Sequence, residues 1–246
     1  MPENTIPAFE YAIRQGVDAL ELDMAVTKDN VIVVSHDPVL KPPVCSGPQP
    51  SAVIHTLTLA QVREWDCGAV RNPAFATQQT VPGTRVPTLD EVFHLASRGS
   101  FGFNIETKSS PDHPEYAPAP EDFARLVLAK IREYKLEKRV MVQSFDWRTL
   151  VAMRKLAPEI RLSALTSTDK RDFTAIAKDA ANAEIVSPEA SLVTPEKVAA
   201  AHAAGLQVVP WTANTPAVWD RLIAAKVDAI ISDDPAALIA YLKQKH

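Results

Sequence analysis

From Val86 onward the chain alternates helix-like and strand-like segments, and few architectures accept such a pattern. Apolar periodicity predicts helices over 89–98, 121–135, 147–156, 170–181, 194–204, 216–225 and 235–243. Between them lie strand candidates at 101–107 (FGFNIET), 139–145, 160–165, 184–187, 206–212 and 228–232. Segments of this size in this order imply a parallel sheet covered by helices. Gly16, Gly99 and Gly205 each stand just before a strand, where helix-to-strand loops favour glycine. Upstream, Ile6, Phe9, Ala12 and Ile13 give residues 2–16 a helical apolar face, and a further strand begins at Val17. The count is then seven parallel strands, whereas a closed barrel needs eight and an open sheet would expose two long edges. The expected fold is α/β, a (β/α)8 TIM barrel lacking its first strand in this sequence, with residues 1–246 as a single domain.

The richest stretch is Val17 to Asp37, VDALELDMAVTKDNVIVVSHD. Its first arm carries Glu21 and Asp23, and its second is a β-branched run that delivers His36 and Asp37. Lys28-Asp29-Asn30 has the composition of a hairpin turn. A turn centred on Asp29 and Asn30 pairs residues with an index sum of about 59, which places Asp23 opposite His36. Glu21 and Asp23, two apart, point the same way. Two carboxylates and an imidazole then lie within reach of one another.

From Pro38 to Pro87 the regular pattern breaks, prolines accumulate, and only Leu57–Trp65 looks helical. Too long for a barrel loop, residues 38–87 read as an inserted subdomain or lid. The stretch holds both cysteines, Cys45 and Cys67. Two cysteines do not make a disulfide framework, and free thiols are the expected state, with a single bridge the alternative in an exported protein. The net charge of −4 gives no electrostatic case for nucleic acid. No apolar run approaches the roughly 20 residues of a membrane span. No signal peptide follows Met1, which implies the cytoplasm if Met1 is the true start, and leaves periplasmic or secreted locations open if a leader is missing. Oligomeric state is not legible.

Ligands of such barrels bind at the C-terminal strand ends, which singles out Glu21, Asp23, Glu106, Lys108, Gln143, Phe145, Trp211, Asn214, Asp233 and Asp234. Three carboxylates, Glu21, Asp23 and Glu106, cannot all stay ionised together without a cation. Oxygen ligands of this kind favour Mg²⁺ or Ca²⁺ over zinc. Lys108 and His36 beside such an ion suit a phosphate oxyanion with a proton donor at hand. The plainer alternative is that these carboxylates form ion pairs, Glu106 with Lys108 for example.

The ordered succession PENT (2–5), ELD (21–23), HD (36–37), ETK (106–108), QSF (143–145), WTAN (211–214) and SDDP (232–235) resembles the glycerophosphodiester phosphodiesterases along the whole chain. The resemblance implies a PLC-like phosphodiesterase barrel with an insertion after His-Asp, and metal ligands at Glu21, Asp23 and Glu106. It implies one divalent cation, Mg²⁺ or Ca²⁺, a catalytic histidine at His36, and a phosphate contact at Lys108. Phe145 and Trp211 match apolar residues that line the pocket for the glycerol or alcohol moiety. The implied reaction converts glycerophosphodiesters, small-molecule substrates, to glycerol 3-phosphate and an alcohol. In it the substrate's 2-hydroxyl attacks phosphorus, and water then opens the cyclic phosphate. In the family a His-Arg-Gly motif on the first strand precedes PENT and supplies a second histidine. The expectation is that the motif and the uncounted strand are one gap, that this chain is shortened, and that its activity is weak as it stands. Alternatives are a phospholipase D-like or phosphoinositide-cleaving enzyme on the same barrel, and a catalytically impaired barrel that binds phosphodiesters.

His55, His94, His113 and His202 lack partners at metal or triad spacing and read as structural, as do Trp65 and Trp147. Asp37 is expected either to orient His36 or to cap the turn into Pro38. Asp234 before Pro235 reads as a helix N-cap. Ser144 has no adjacent histidine, which argues against a serine hydrolase.

Overall fold

The computed structural model describes residues 1–245. The chain opens with a turn over Pro2–Thr5, in which Thr5 Oγ1 donates to the Pro2 carbonyl (2.7 Å). Helix α1 (Ile6–Gln15) follows and buries Phe9. It ends at Gly16 in the left-handed region (φ 84°), whose N–H caps the Ile13 carbonyl, a conformation glycine adopts without steric cost.

Strand β1 (Ala19–Val26) then pairs antiparallel with β2 (Ile32–Val34). The register corrects the expected one: Met24 faces Val34 and Ala25 faces Val33, and the Ser35 N–H donates to the Asp23 carbonyl (2.9 Å). Ser35, not His36, is therefore the residue beside Asp23. The cause is the turn. Thr27 and Val31 close a three-residue loop, with the Thr27 N–H on the Val31 carbonyl and Asn30 at φ 61°, which is the hairpin with a left-handed third residue. Asp29 is tied to Thr27 Oγ1 (2.6 Å) and to the Leu59 N–H (3.0 Å), which accounts for the turn's departure from a two-residue form.

Residues 38–87 hold a two-stranded sheet of β3 (Val39–Leu40) and β4 (Ala52–Val53) and a short helix α2 (Leu59–Val62) with a Thr58–Gln61 capping box. Cys45 and Cys67 are disulfide-bonded, contrary to the free thiols expected. A bridge between Ser46 and Asp66, with both N–H···O bonds at 2.8 Å, aligns the two cysteines side by side. Leu40, Ile54, Val62, Trp65 and Val86 form one buried cluster with the disulfide and with Ala25 and Val33 of the hairpin. Gly47 lies so close to Trp65 that a Cβ there would meet the ring at 2.3 Å. The face of β1 that carries Glu21 and Asp23 thus continues, at Ala25, into this second small core.

A second capping box, Thr88 with Glu91, starts α3 (Leu89–His94), and β5 (Gly102–Thr107) returns parallel to β1. Helix α4 (Pro120–Glu133) buries Phe123, Val127 and Ile131. These elements belong to one compact unit, Met1 to Val140. The unit from Met141 on repeats strand and helix. It runs β6 (Val140–Ser144), α5 (Trp147–Leu156), β7 (Arg161–Thr166), α6 (Phe173–Asp179), β8 (Ile185–Pro188), α7 (Pro195–Ala203), β9 (Gln207–Val208), α8 (Pro216–Ala224) and α9 (Pro235–Lys245). Strands β6 to β9 are parallel neighbours in chain order. Two expectations fail here: β9 is two residues long, and 228–232 forms no ladder. Pro210 has no N–H to donate, and the backbone bonds to this stretch run from Asp228 N–H to Val208, from Ile231 N–H to Pro210 and from Ala213 N–H to Ile231.

Candidate active site

Parallel pairing of β1 with β5 sets Glu21 beside Asn104 and Asp23 beside Glu106. One carboxylate oxygen from each of Glu21, Asp23 and Glu106 lies within 4.8 Å of the others. Asp23 is 3% exposed and Glu106 6%. Just past the end of β5 the Lys108 N–H continues the ladder to the Met24 carbonyl. Its Nζ stands 3.3 Å from Asp23 Oδ1 and 3.1 Å from Glu106 Oε1. The Glu106–Lys108 ion pair of the plainer reading therefore exists, but inside a larger group.

Lys108 contacts two of the three carboxylates. Burial, then the Asp23 charge, push the Glu106 carboxyl up to about 8 against the pull of Lys108. Burial acts to lower the Lys108 pKa, yet Asp23 and Glu106 outweigh it and hold the ammonium above its ordinary value. This donor set fits a hard divalent cation: carboxylate oxygens only, convergent, with Asp23 and Glu106 buried and Glu21 half-buried. The acidic cluster can hold a metal ion.

Past β2 the chain leaves the ladder, and His36 turns its ring toward Asp37, Nδ1 to Oδ1 2.9 Å. A carboxylate only accepts, so Nδ1 is the donor and Nε2 is left available. The bond to Asp37 raises the His36 pKa, against burial and the Lys108 charge, while the Asp23 charge reinforces it. Asp37 orients His36, and its carbonyl also accepts from Ser35 Oγ (2.9 Å). The side chain of His36 is exposed.

Two residues of the PENT run bear on this group, Asn4 by contact and Glu3 by charge. Asn4, at φ 54°, donates from Nδ2 to Asp23 Oδ2 (2.8 Å) and accepts at Oδ1 from the Asp23 N–H (3.1 Å). Glu3 accepts from Asn72 Nδ2 (3.4 Å), and burial raises its carboxyl pKa while the nearby His36 charge lowers it. The only sequence signal for either was the PENT run itself.

In the second unit Phe145 and Trp211 meet edge to face, with centroids 5.4 Å apart, and Phe145 is 42% exposed. Trp211 is anchored by its Nε1–H on the Ser187 carbonyl (2.9 Å). Gln143 is buried in β6. Asp233 accepts from Asn214 Nδ2 (2.6 Å), and Asp234 accepts from the Ala237 N–H (3.0 Å), as an N-cap does. His55, His94 and His202 are each bonded elsewhere, to the Val26 carbonyl, the Asp90 carbonyl and Asp228. His113 lies against Glu115 and Tyr116. Trp65 is core, and Trp147 donates to the Leu165 carbonyl. No helix among the described residues is long and apolar enough to cross a membrane.

A crystal structure from Silicibacter pomeroyi DSS-3, assigned to the glycerophosphoryl diester phosphodiesterases, is 31% identical and superposes with a TM-score of 0.92 over 100% of this chain and 90% of its own. An Oleispira antarctica phosphodiesterase, solved with the product sn-glycerol-3-phosphate, shares the fold at a TM-score of 0.83 and 22% identity, over 98% of this chain and 92% of its own. The fold is accordingly the α/β TIM barrel, and the class that fold and site define is a barrel phosphodiesterase. A glycerophosphodiester phosphodiesterase of Caldanaerobacter subterraneus subsp. tengcongensis is 33% identical over 99% of this chain and 93% of its own length. The model of the glycerophosphoryl diester phosphodiesterase family matches residues 1–237, and the chain belongs to that family of phosphoric diester hydrolases.

Proposed function

We propose that this chain hydrolyses glycerophosphodiesters to glycerol 3-phosphate and an alcohol, with Glu21, Asp23 and Glu106 holding one divalent cation, Mg²⁺ or Ca²⁺. The observation that carries the reading is the cluster of three carboxylates, buried Asp23 and Glu106 with half-buried Glu21, and Lys108 on its rim. When bound, the ion supplies positive charge to the phosphoryl oxygens. Lys108 is the residue that meets a phosphate oxygen: with the carboxylates committed to an ion, its ammonium is freed for a new anion. His36 moves a proton at Nε2, taking it from the attacking hydroxyl or giving it to the departing alkoxide as the P–O bond breaks. Asp37 keeps the ring in the tautomer this requires. Phe145 and Trp211 contact the carbon skeleton of the substrate, for which an exposed aromatic pair offers the apolar surface. The 38–87 stretch serves as a lid rooted beside His36. Its disulfide supports function in an oxidising compartment.

The test is release of glycerol 3-phosphate from glycerophosphocholine, assayed with Mg²⁺, with Ca²⁺ and with excess chelator. Chelation is expected to abolish turnover, and His36→Ala to lower kcat by about 10²–10⁴-fold. Turnover that persists in chelator, or a His36→Ala variant as fast as the parent, sinks the reading.

A further inference from the structure

We infer that Asn4 is a positioning residue for the metal centre, holding Asp23 from both its main chain and its side chain. This rests on the reading of Glu21, Asp23 and Glu106 as metal ligands. The Asn4 amide grips Asp23 twice, donating to Oδ2 at 2.8 Å and accepting from the Asp23 N–H at 3.1 Å. The two carboxylate oxygens are thereby divided. Oδ2 accepts from Asn4, and Oδ1 is turned toward Lys108. Rotation of the carboxylate about its last bond would break the first of these contacts, so the amide sets which oxygen faces an incoming ion.

The chemistry of the donor matters. A carboxylate crowded by two others gains from any hydrogen bond it can accept, but a cationic donor would cancel part of the charge an ion needs. An amide N–H₂ fixes the ligand and leaves its full negative charge in place, whereas Lys108 competes with the ion for the same oxygens. Asn4 is itself held firmly. Its φ of 54° lies in the left-handed region, which asparagine tolerates better than most residues. On one side Thr5, 1% exposed, closes the turn back to Pro2. On the other, α1 begins at Ile6 with the Phe9 N–H already bonded to the Thr5 carbonyl. The neighbouring Glu3 accepts from Asn72, so one short run ties the irregular 38–87 stretch to a metal ligand.

Two variants separate positioning from folding. Asn4→Gly keeps the left-handed backbone and deletes both hydrogen bonds. Asn4→Asp keeps the shape and the acceptor for the Asp23 N–H, but sets an oxygen against Asp23 Oδ2. Mg²⁺ and Ca²⁺ are titrated calorimetrically into chelator-stripped parent, both variants and Glu106→Gln, with metal-free melting curves recorded alongside. The parent is expected to bind one ion, Asn4→Gly to bind it about 10–100-fold more weakly, and Asn4→Asp more weakly still, with the metal-free melting temperature of Asn4→Gly close to that of the parent. Parent-like affinity in both variants, with Glu106→Gln weakened, overturns the inference and leaves the metal site standing. A parent that binds neither ion overturns the metal site and this inference with it.

Discussion

Two parallel strand pairs of the same construction treat buried polar side chains in opposite ways. Between β7 and β8 the hydroxyls of Ser163 and Ser187 lie 2.9 Å apart, both fully buried. One hydroxyl donates to the other, a neutral contact that calls for no charge. Between β1 and β5 the set is buried Asp23 and Glu106 with half-buried Glu21, and Lys108 at its edge. Ionised carboxylates only accept, so charging all three in one place is unfavourable, and burial with the Asp23 charge raises the Glu106 carboxyl to about 8. The first pair carries no charge. The second gathers acidic groups, one of which is held toward its protonated form, and that crowding marks a site where the serine pair marks a core.

The severest way to break the comparison is to remove the Lys108 ammonium. Lys108, with a side chain 15% exposed, contacts both Asp23 and Glu106. Lys108→Met is expected to destabilise the metal-free protein by about 3–5 kcal/mol, because a buried charge set loses its partner. Saturating Mg²⁺ or Ca²⁺ should restore much of that loss in urea titrations. A destabilisation that the ions leave untouched would show that Lys108 is a structural ion-pair partner and that the acidic cluster has no use for a metal.

A gentler probe is pH. The Glu106 carboxyl is raised to about 8 in the fold from an ordinary value of 4.5. Between those values the folded form binds more protons than the unfolded one, so this group's contribution to stability is full below about 4.5 and is lost as pH rises through about 8. Metal-free protein should therefore become less stable across that window, by more than a Glu106→Gln variant does. Metal affinity should climb over the same range, since the carboxylate must be deprotonated to bind. Equal pH profiles for parent and Glu106→Gln in urea titrations would refute the assignment.

How far these features could be read beforehand depended on whether they were local. Strand and helix alternation and the facing of Glu21 with Asp23 follow from periodicity along the chain, and the barrel class rested on them. Asp23 beside Glu106 required only that two such strands run parallel. The hairpin register did not follow from composition: Lys28-Asp29-Asn30 suits a two-residue or a three-residue turn, and contacts from Thr27 and from distant Leu59 accompany the latter. The slip of one residue moved His36 out of the ladder, and only its departure from the strand lets it bond Asp37 as it does. The disulfide depends on a bridge between Ser46 and Asp66 that no periodicity announces. Asn4 is clearer still. Its role is a contact across 19 positions made from a left-handed residue, and nothing in the neighbouring residues points to Asp23.

The smallest expected effect lies on the neutral side of the comparison. Ser163→Ala leaves the Ser187 hydroxyl buried without its partner and should cost about 1–3 kcal/mol. Ser187→Ala should do the same for the converse reason. Replacing both removes the polar demand along with its supply, so the double variant should be less destabilised than the two single variants added together, by about 1 kcal/mol of coupling in urea titrations. Metal affinity should stay at the parental value in all three. If the double variant lost stability additively, the hydroxyls would not be each other's partners, and the contrast with the carboxylate cluster would have to rest on the charges alone. If metal affinity fell as well, the serine pair would be part of the site and not of the core.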